Sequence, residues 1–61
     1  MWLTVKQAAV ISEVKPVTIR KWCRNGYLTG EGVIVRKLGK LYGIDRLSFL
    51  DWIDKHYKEN N

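Results

Sequence analysis

The pattern of apolar and polar positions divides the chain into short helical stretches and one strand-like pair. In "LTVKQAAVIS" (residues 3–12), Val5, Ala8 and Ala9 recur at helical spacing and define a buried side, extended by Ile11 and Val14, while Lys6 and Gln7 fall outside. Thr4 stands where an N-cap is needed, because its hydroxyl accepts from a free amide of the first turn, and Gln7 three residues on completes a capping box. A helix over "VKQAAVIS" is therefore expected, with small alanines that let another helix approach closely. Proline suits only the first turn of a helix, so "SEVK" is a tight connection and a second helix begins near Pro16. Asn25 and Gly26 end it, since glycine accepts a left-handed cap without penalty. Along it, Ile19, Trp22 and Cys23 lie at i, i+3, i+4 on one face. Val17, Arg20, Lys21 and Arg24 form a cationic stripe on the other.

Beyond the loop "TGEG" the period shortens. The β-branched run "VIVRKL" reads as a strand, "GK" supplies turn chemistry and "LYGI" returns as a second strand. The hairpin carries Arg36, Lys37 and Lys40 near its tip. Asp45 then caps a last helix, approximately Arg46 to Tyr57, whose Phe49, Leu50, Trp52, Ile53 and Tyr57 make an apolar face that covers the hairpin and the first helices. The closing "KENN" is a polar tail. Two helices joined by about three residues make a helix-turn-helix arrangement, and with the hairpin and last helix the fold class is α+β. The 61 residues form one domain, residues 1–61, with no room for a second ligand-binding or catalytic unit.

Charge sharpens this picture. The chain has 11 Lys and Arg against 6 Asp and Glu, a formal net charge of +5 and a pI near 9.7. Eight of the cations and only two of the acids lie between Lys15 and Arg46, so the excess belongs to the second helix and the hairpin. That distribution favours an anionic partner. An α-helix fits the major groove of B-DNA, where arginine grips guanine bidentately, and a basic hairpin beside it suits the backbone or the adjacent minor groove. The candidate DNA-binding residues are Lys15, Val17, Thr18, Arg20, Lys21, Arg24, Arg36, Lys37 and Lys40. RNA fits less well, because no exposed aromatic sheet pattern offers itself for stacking single-stranded bases.

Other chemistry is thinly supported. Cys23 sits on the apolar face and reads as a buried, inert thiol, and one cysteine makes no intramolecular disulfide. His56 stands in a polar end without the further N or S donors a metal site needs. Asp51 and Asp54 beside Lys55 and Lys58 read as a solvated charge pattern. "TGEGV" lacks the strand-to-helix context of a phosphate-binding loop. No base and nucleophile pair is visible, so the expectation is a non-enzyme without cofactor or metal. No signal-like segment opens the chain and no run of roughly 18 apolar residues crosses a membrane, which makes the cytoplasm the default.

The stretches "LTVKQAAVIS", "VTIRKWCRNGYL", "VRKLGKLYGI" and "LDWI", which cover nearly the whole chain, resemble the excisionase family and the related DNA-binding module of MerR-type regulators. Trp22, Gly26 and Leu28 match that pattern, whereas Lys15 and Pro16 stand where a polar cap is usual and the loop before the hairpin is longer. The resemblance implies a winged helix-turn-helix with a two-stranded wing: the second helix in the major groove through Arg20, Lys21 and Arg24, the wing in the minor groove through Arg36 and Lys40. It also implies a recombination directionality factor that bends attachment-site DNA and assists an integrase. Binding as several cooperating copies on repeated sites is expected, because one small module gains little specificity alone. The opening Met and short tail fit a complete protein of that kind. A DNA-binding domain cut from a transposase or transcriptional regulator is the alternative, and a basic protein-interaction module is the rival from another class.

Overall fold

A computed structural model describes residues 1–58, with side chains described as far as His56; the tail residues 59–61 and the expected apolar contribution of Tyr57 lie outside that description. The elements run β1 (Trp2–Leu3), α1 (Val5–Ser12), α2 (Pro16–Asn25), α3 (Tyr27–Gly30), β2 (Val35–Leu38), β3 (Leu41–Asp45) and α4 (Arg46–Ile53), followed by a π-helical turn over Asp54–Lys58. This is a small α+β fold with the architecture of a winged helix-turn-helix.

Helix α1 begins as its sequence dictates. The Gln7 amide donates to Thr4 Oγ1 at 3.0 Å and the Thr4 amide donates to Gln7 Oε1 at 2.9 Å, closing the capping box. Val5, Ala8 and Ala9 are buried, but Ile11 is 40% exposed and is not part of the core. It lies in the last turn of α1 and lines an open cleft with Leu50 and Ile53 of α4. The chain turns at Glu13, which holds the left-handed conformation (φ 58°), and α2 starts at Pro16. Lys15 occupies the N-cap with extended backbone and no side-chain cap bond, so its ammonium group is left for solvent. Gly26 ends α2 at φ 80°, a conformation that strains any residue with a Cβ.

The structure also corrects the sequence reading of the elements between α2 and α4 and of the sheet. The segment leading to "TGEG" is not a loop throughout: Tyr27–Gly30 forms the helical turn α3, held by Leu28, which is fully buried, and opened by Asn25 Oδ1, which accepts from the Tyr27 amide at 3.0 Å. Strand β2 starts at Val35 rather than Val33. Val33 packs into the core, while the Ile34 amide donates to Ser48 Oγ at 3.1 Å and its carbonyl accepts from the Asp45 amide at 2.9 Å. The sheet also has a third strand, antiparallel throughout, in the order β1-β3-β2, with Trp2 opposite Asp45 and Leu3 opposite Ile44.

The hairpin register pairs Val35 with Ile44, Arg36 with Gly43, Lys37 with Tyr42 and Leu38 with Leu41, which leaves Gly39 and Lys40 as the two-residue turn. Since side chains alternate across a strand, Leu3, Val35, Tyr42 and Ile44 share the face toward the helices. Phe49, Ile19, Leu28 and Ile44 fill the centre of the core without exposure. An aromatic cluster ties the helices together: the Trp22 ring lies 5.1 Å from Tyr27 and 5.9 Å from Trp52, and Trp52 lies 5.9 Å from Phe49. Trp22 is thus clamped between α3 and α4, which fixes the rotation of α2 and with it the direction of the cationic stripe.

Candidate nucleic-acid interface

Burial separates the two faces of α2. Ile19 and Cys23 are buried and Trp22 is half-buried, whereas Val17, Arg20, Lys21 and Arg24 are exposed. Lys15, just before the helix, is exposed as well, and Thr18 is half-buried at the margin. Among the described residues, Lys15, Arg20, Lys21 and Arg24 make no ion pair with a carboxylate. Their positive charge is presented to solvent.

The hairpin cations are less uniform than the sequence suggests. Only Lys40 stands in the turn. Arg36 lies back over the Trp2 ring, its guanidinium carbon 5.1 Å from the ring centroid, and Lys37 Nζ sits 5.7 Å from the centroid of Tyr42 on the opposite face. The three therefore do not form one cluster at the tip. What the fold does bring together is Arg20 of α2 and Lys40 of the turn, which line one groove of about 350 Å³ with Lys6 and the outer face of the sheet. Arg20 of the cationic helix and Lys40 at the tip of the wing thus open onto the same groove.

Sequence reasoning missed several residues of this side. Trp2, 41% exposed, and Leu38 and Leu41, 60% and 73% exposed, lie in that groove. A two-residue strand has no periodicity to read, so nothing local placed Trp2 on the sheet. Gly43, directly across from Arg36, was the available signal. A Cβ there would meet Trp2 Cε3 at 3.4 Å, which marks a position where a large neighbour lies flat against the strand.

The thiol, imidazole and carboxylate groups elsewhere in the fold are occupied structurally. Cys23 is buried and its thiol pKa is pushed up by that burial, which disfavours the reactive thiolate. Glu31 Oε1 accepts from the Trp52 indole N–H at 3.3 Å and lies 3.1 Å from His56 Nε2, while His56 Nδ1 is 3.0 Å from the Trp52 carbonyl oxygen. These contacts make His56 a latch between α3 and the end of α4. No cluster of three or more potential metal ligands occurs among the described residues, and no helix there is long and apolar enough to cross a membrane.

The fold and this basic face define a winged helix-turn-helix protein. The chain matches the family described as "Helix-turn-helix domain" over residues 2–57 and belongs to that family of DNA-binding domains. Neither a curated protein nor a solved structure matches the chain.

Proposed function

We propose that residues 1–61 act as one domain that reads double-stranded DNA sequence-specifically, as an excisionase-like directionality factor that bends attachment-site DNA to assist an integrase. The observation that carries the reading is the shared groove of Arg20 and Lys40, which aims a major-groove helix and a wing tip at one ligand. In this arrangement Arg20, Lys21 and Arg24 reach base edges and phosphates from α2, with Val17 and Thr18 against the groove wall. Lys15, at the N-cap of α2, meets a phosphate. Lys40 follows the wing into or along the minor groove, with Arg36 and Lys37 supporting it from the sheet. Several copies on repeated sites provide the specificity that one module lacks, and a bent duplex is the product handed to the recombinase.

Fluorescence anisotropy with a random duplex and with DNA from the ends of the element that encodes the protein tests this across a salt series. Five phosphate contacts give a slope of log K against log salt of about −4.5. Replacing Arg20→Gln, Lys21→Gln and Arg24→Gln together is expected to lower affinity at least about a hundredfold and to flatten the slope to about −1.8. A preference for the element's ends supports the excisionase role. A flat salt response on both duplexes would overturn DNA binding and leave the basic face to a protein partner.

A further inference from the structure

The outer face of the sheet is more apolar than a solvated wing requires. Leu38 and Leu41 stand opposite each other beside the turn, 60% and 73% exposed, and contribute nothing to the core. Trp2 extends this surface along the sheet. Its ring rests on Gly43, where even a methyl group would lie 3.4 Å from Cε3, and the Arg36 guanidinium covers it at 5.1 Å. The indole is thereby fixed between backbone and cation, with 41% of the residue open to solvent. Around this floor stand Lys6 at the start of α1, Arg20 on α2 and Lys40 in the turn, and no carboxylate side chain lines the groove. The ligand that suits such a surface alternates apolar and anionic groups along its length. A nucleic-acid strand does so, because each apolar deoxyribose is flanked by phosphates.

We infer that this groove seats one sugar–phosphate strand of a duplex, with Trp2, Leu38 and Leu41 packed on deoxyriboses and Lys6, Arg20 and Lys40 on phosphates. The inference rests on the DNA-binding reading above and adds Trp2, Lys6 and the two leucines to the interface. It makes the strand between helix and wing a gripped element, which sets how far the wing tip advances. The apolar contacts carry no charge, so they add affinity without adding to the salt dependence. The cations do both.

Two variants separate these contributions in the same anisotropy assay. Leu38→Ser with Leu41→Ser removes only exposed side chains, so circular dichroism should match the parent; affinity is expected to fall about tenfold with the salt slope unchanged. Lys6→Gln with Lys40→Gln is expected to flatten the slope by about 1.8. In protein labelled with 5-fluorotryptophan, the ¹⁹F resonance that Trp2→Phe removes is expected to shift when duplex is added. Parental binding by both double variants, with a Trp2 resonance unmoved by DNA that the protein still binds, overturns the groove while the DNA-binding reading stands. Absence of any binding by the parent chain overturns both. Retained DNA binding by the leucine variant, together with loss of a concentration-dependent dimer seen in the parent by light scattering, assigns the leucines to a second copy and also overturns the inference.

Discussion

Charges in two regions of the molecule are handled differently. Around the C-terminal helix they are met inside the chain: Lys55 Nζ lies 3.3 Å from Asp51 Oδ2, and Glu31 receives the Trp52 indole and stands beside His56. On α2 and the turn, Lys15, Arg20, Lys21, Arg24 and Lys40 meet no carboxylate among the described residues. Arg36 and Lys37 have aromatic rings beneath them, which hold their positions without cancelling their charge. The positive excess of the sequence is thus concentrated on α2 and the hairpin, where its mutual repulsion is not offset by neighbouring carboxylates among the described residues. The C-terminal region uses its polar groups to close the fold.

If that division is sound, removing an acid from the closing region costs stability and leaves DNA binding alone. Glu31→Ala takes away the oxygen that the Trp52 indole and His56 share, a hydrogen bond to a charged acceptor at the edge of the aromatic cluster. The expected loss is about 1 to 2 kcal/mol, which for a domain of this size lowers the midpoint of thermal unfolding by roughly 5 to 15 °C. Affinity for duplex DNA should stay within about twofold of the parent. A large loss of affinity at a temperature where the variant is folded would show that the two regions are coupled.

The converse experiment has a smaller expected effect on stability. Arg20, Lys21 and Arg24 are exposed, and their charges are directed away from the core, so the triple glutamine variant should unfold within about 0.5 kcal/mol of the parent. Any change should be toward greater stability, because three like charges have been removed from one stripe. Calorimetry alongside the binding assay reads both. A marked destabilisation would mean that the stripe contributes to packing through its aliphatic stems.

How much of this was legible beforehand follows the range of the interactions. The Thr4 and Gln7 capping box, the start at Pro16, the stop at Gly26, the Gly39 and Lys40 turn and the Asp45 cap are all settled within a few residues of themselves, and each is found where the sequence places it. The exposed or buried fate of Ile19, Cys23 and Phe49 follows equally from helical spacing. The misreadings concern partners distant in sequence. Strand β1 exists because Trp2 and Leu3 pair with residues more than forty positions away, and Ile11 has the right spacing yet stays partly exposed beside Leu50 and Ile53 of α4. Tyr27–Gly30 winds into a helix because Leu28 is drawn into the core, against a composition that reads as loop. Arg36 leaves the wing tip for Trp2 only because β1 delivers that ring beside Gly43.

The finest test falls on the residue that joins the two regions. Asp45 ends β3 and caps α4, with its Oδ2 accepting from the Ser48 amide at 3.0 Å. That backbone hydrogen bond first, and the Ser48 hydroxyl second, hold the Asp45 carboxyl below its ordinary value of 3.8. A carboxyl whose pKa is lower folded than unfolded adds stability that is complete at neutral pH and is lost as pH falls through the lowered value. Asp45→Asn keeps a cap of similar quality but cannot titrate. At pH 7 its unfolding midpoint should differ little from the parent's. Below about pH 4 the parent should lose stability more steeply than the variant, and the difference between the two curves isolates this one group. Parallel curves down to pH 2 would mean that the carboxylate gains nothing from Ser48, and that α4 is held to the wing by the burial of Phe49 and Trp52 and by the hydrogen bonds of Ile34 with Ser48 and Asp45.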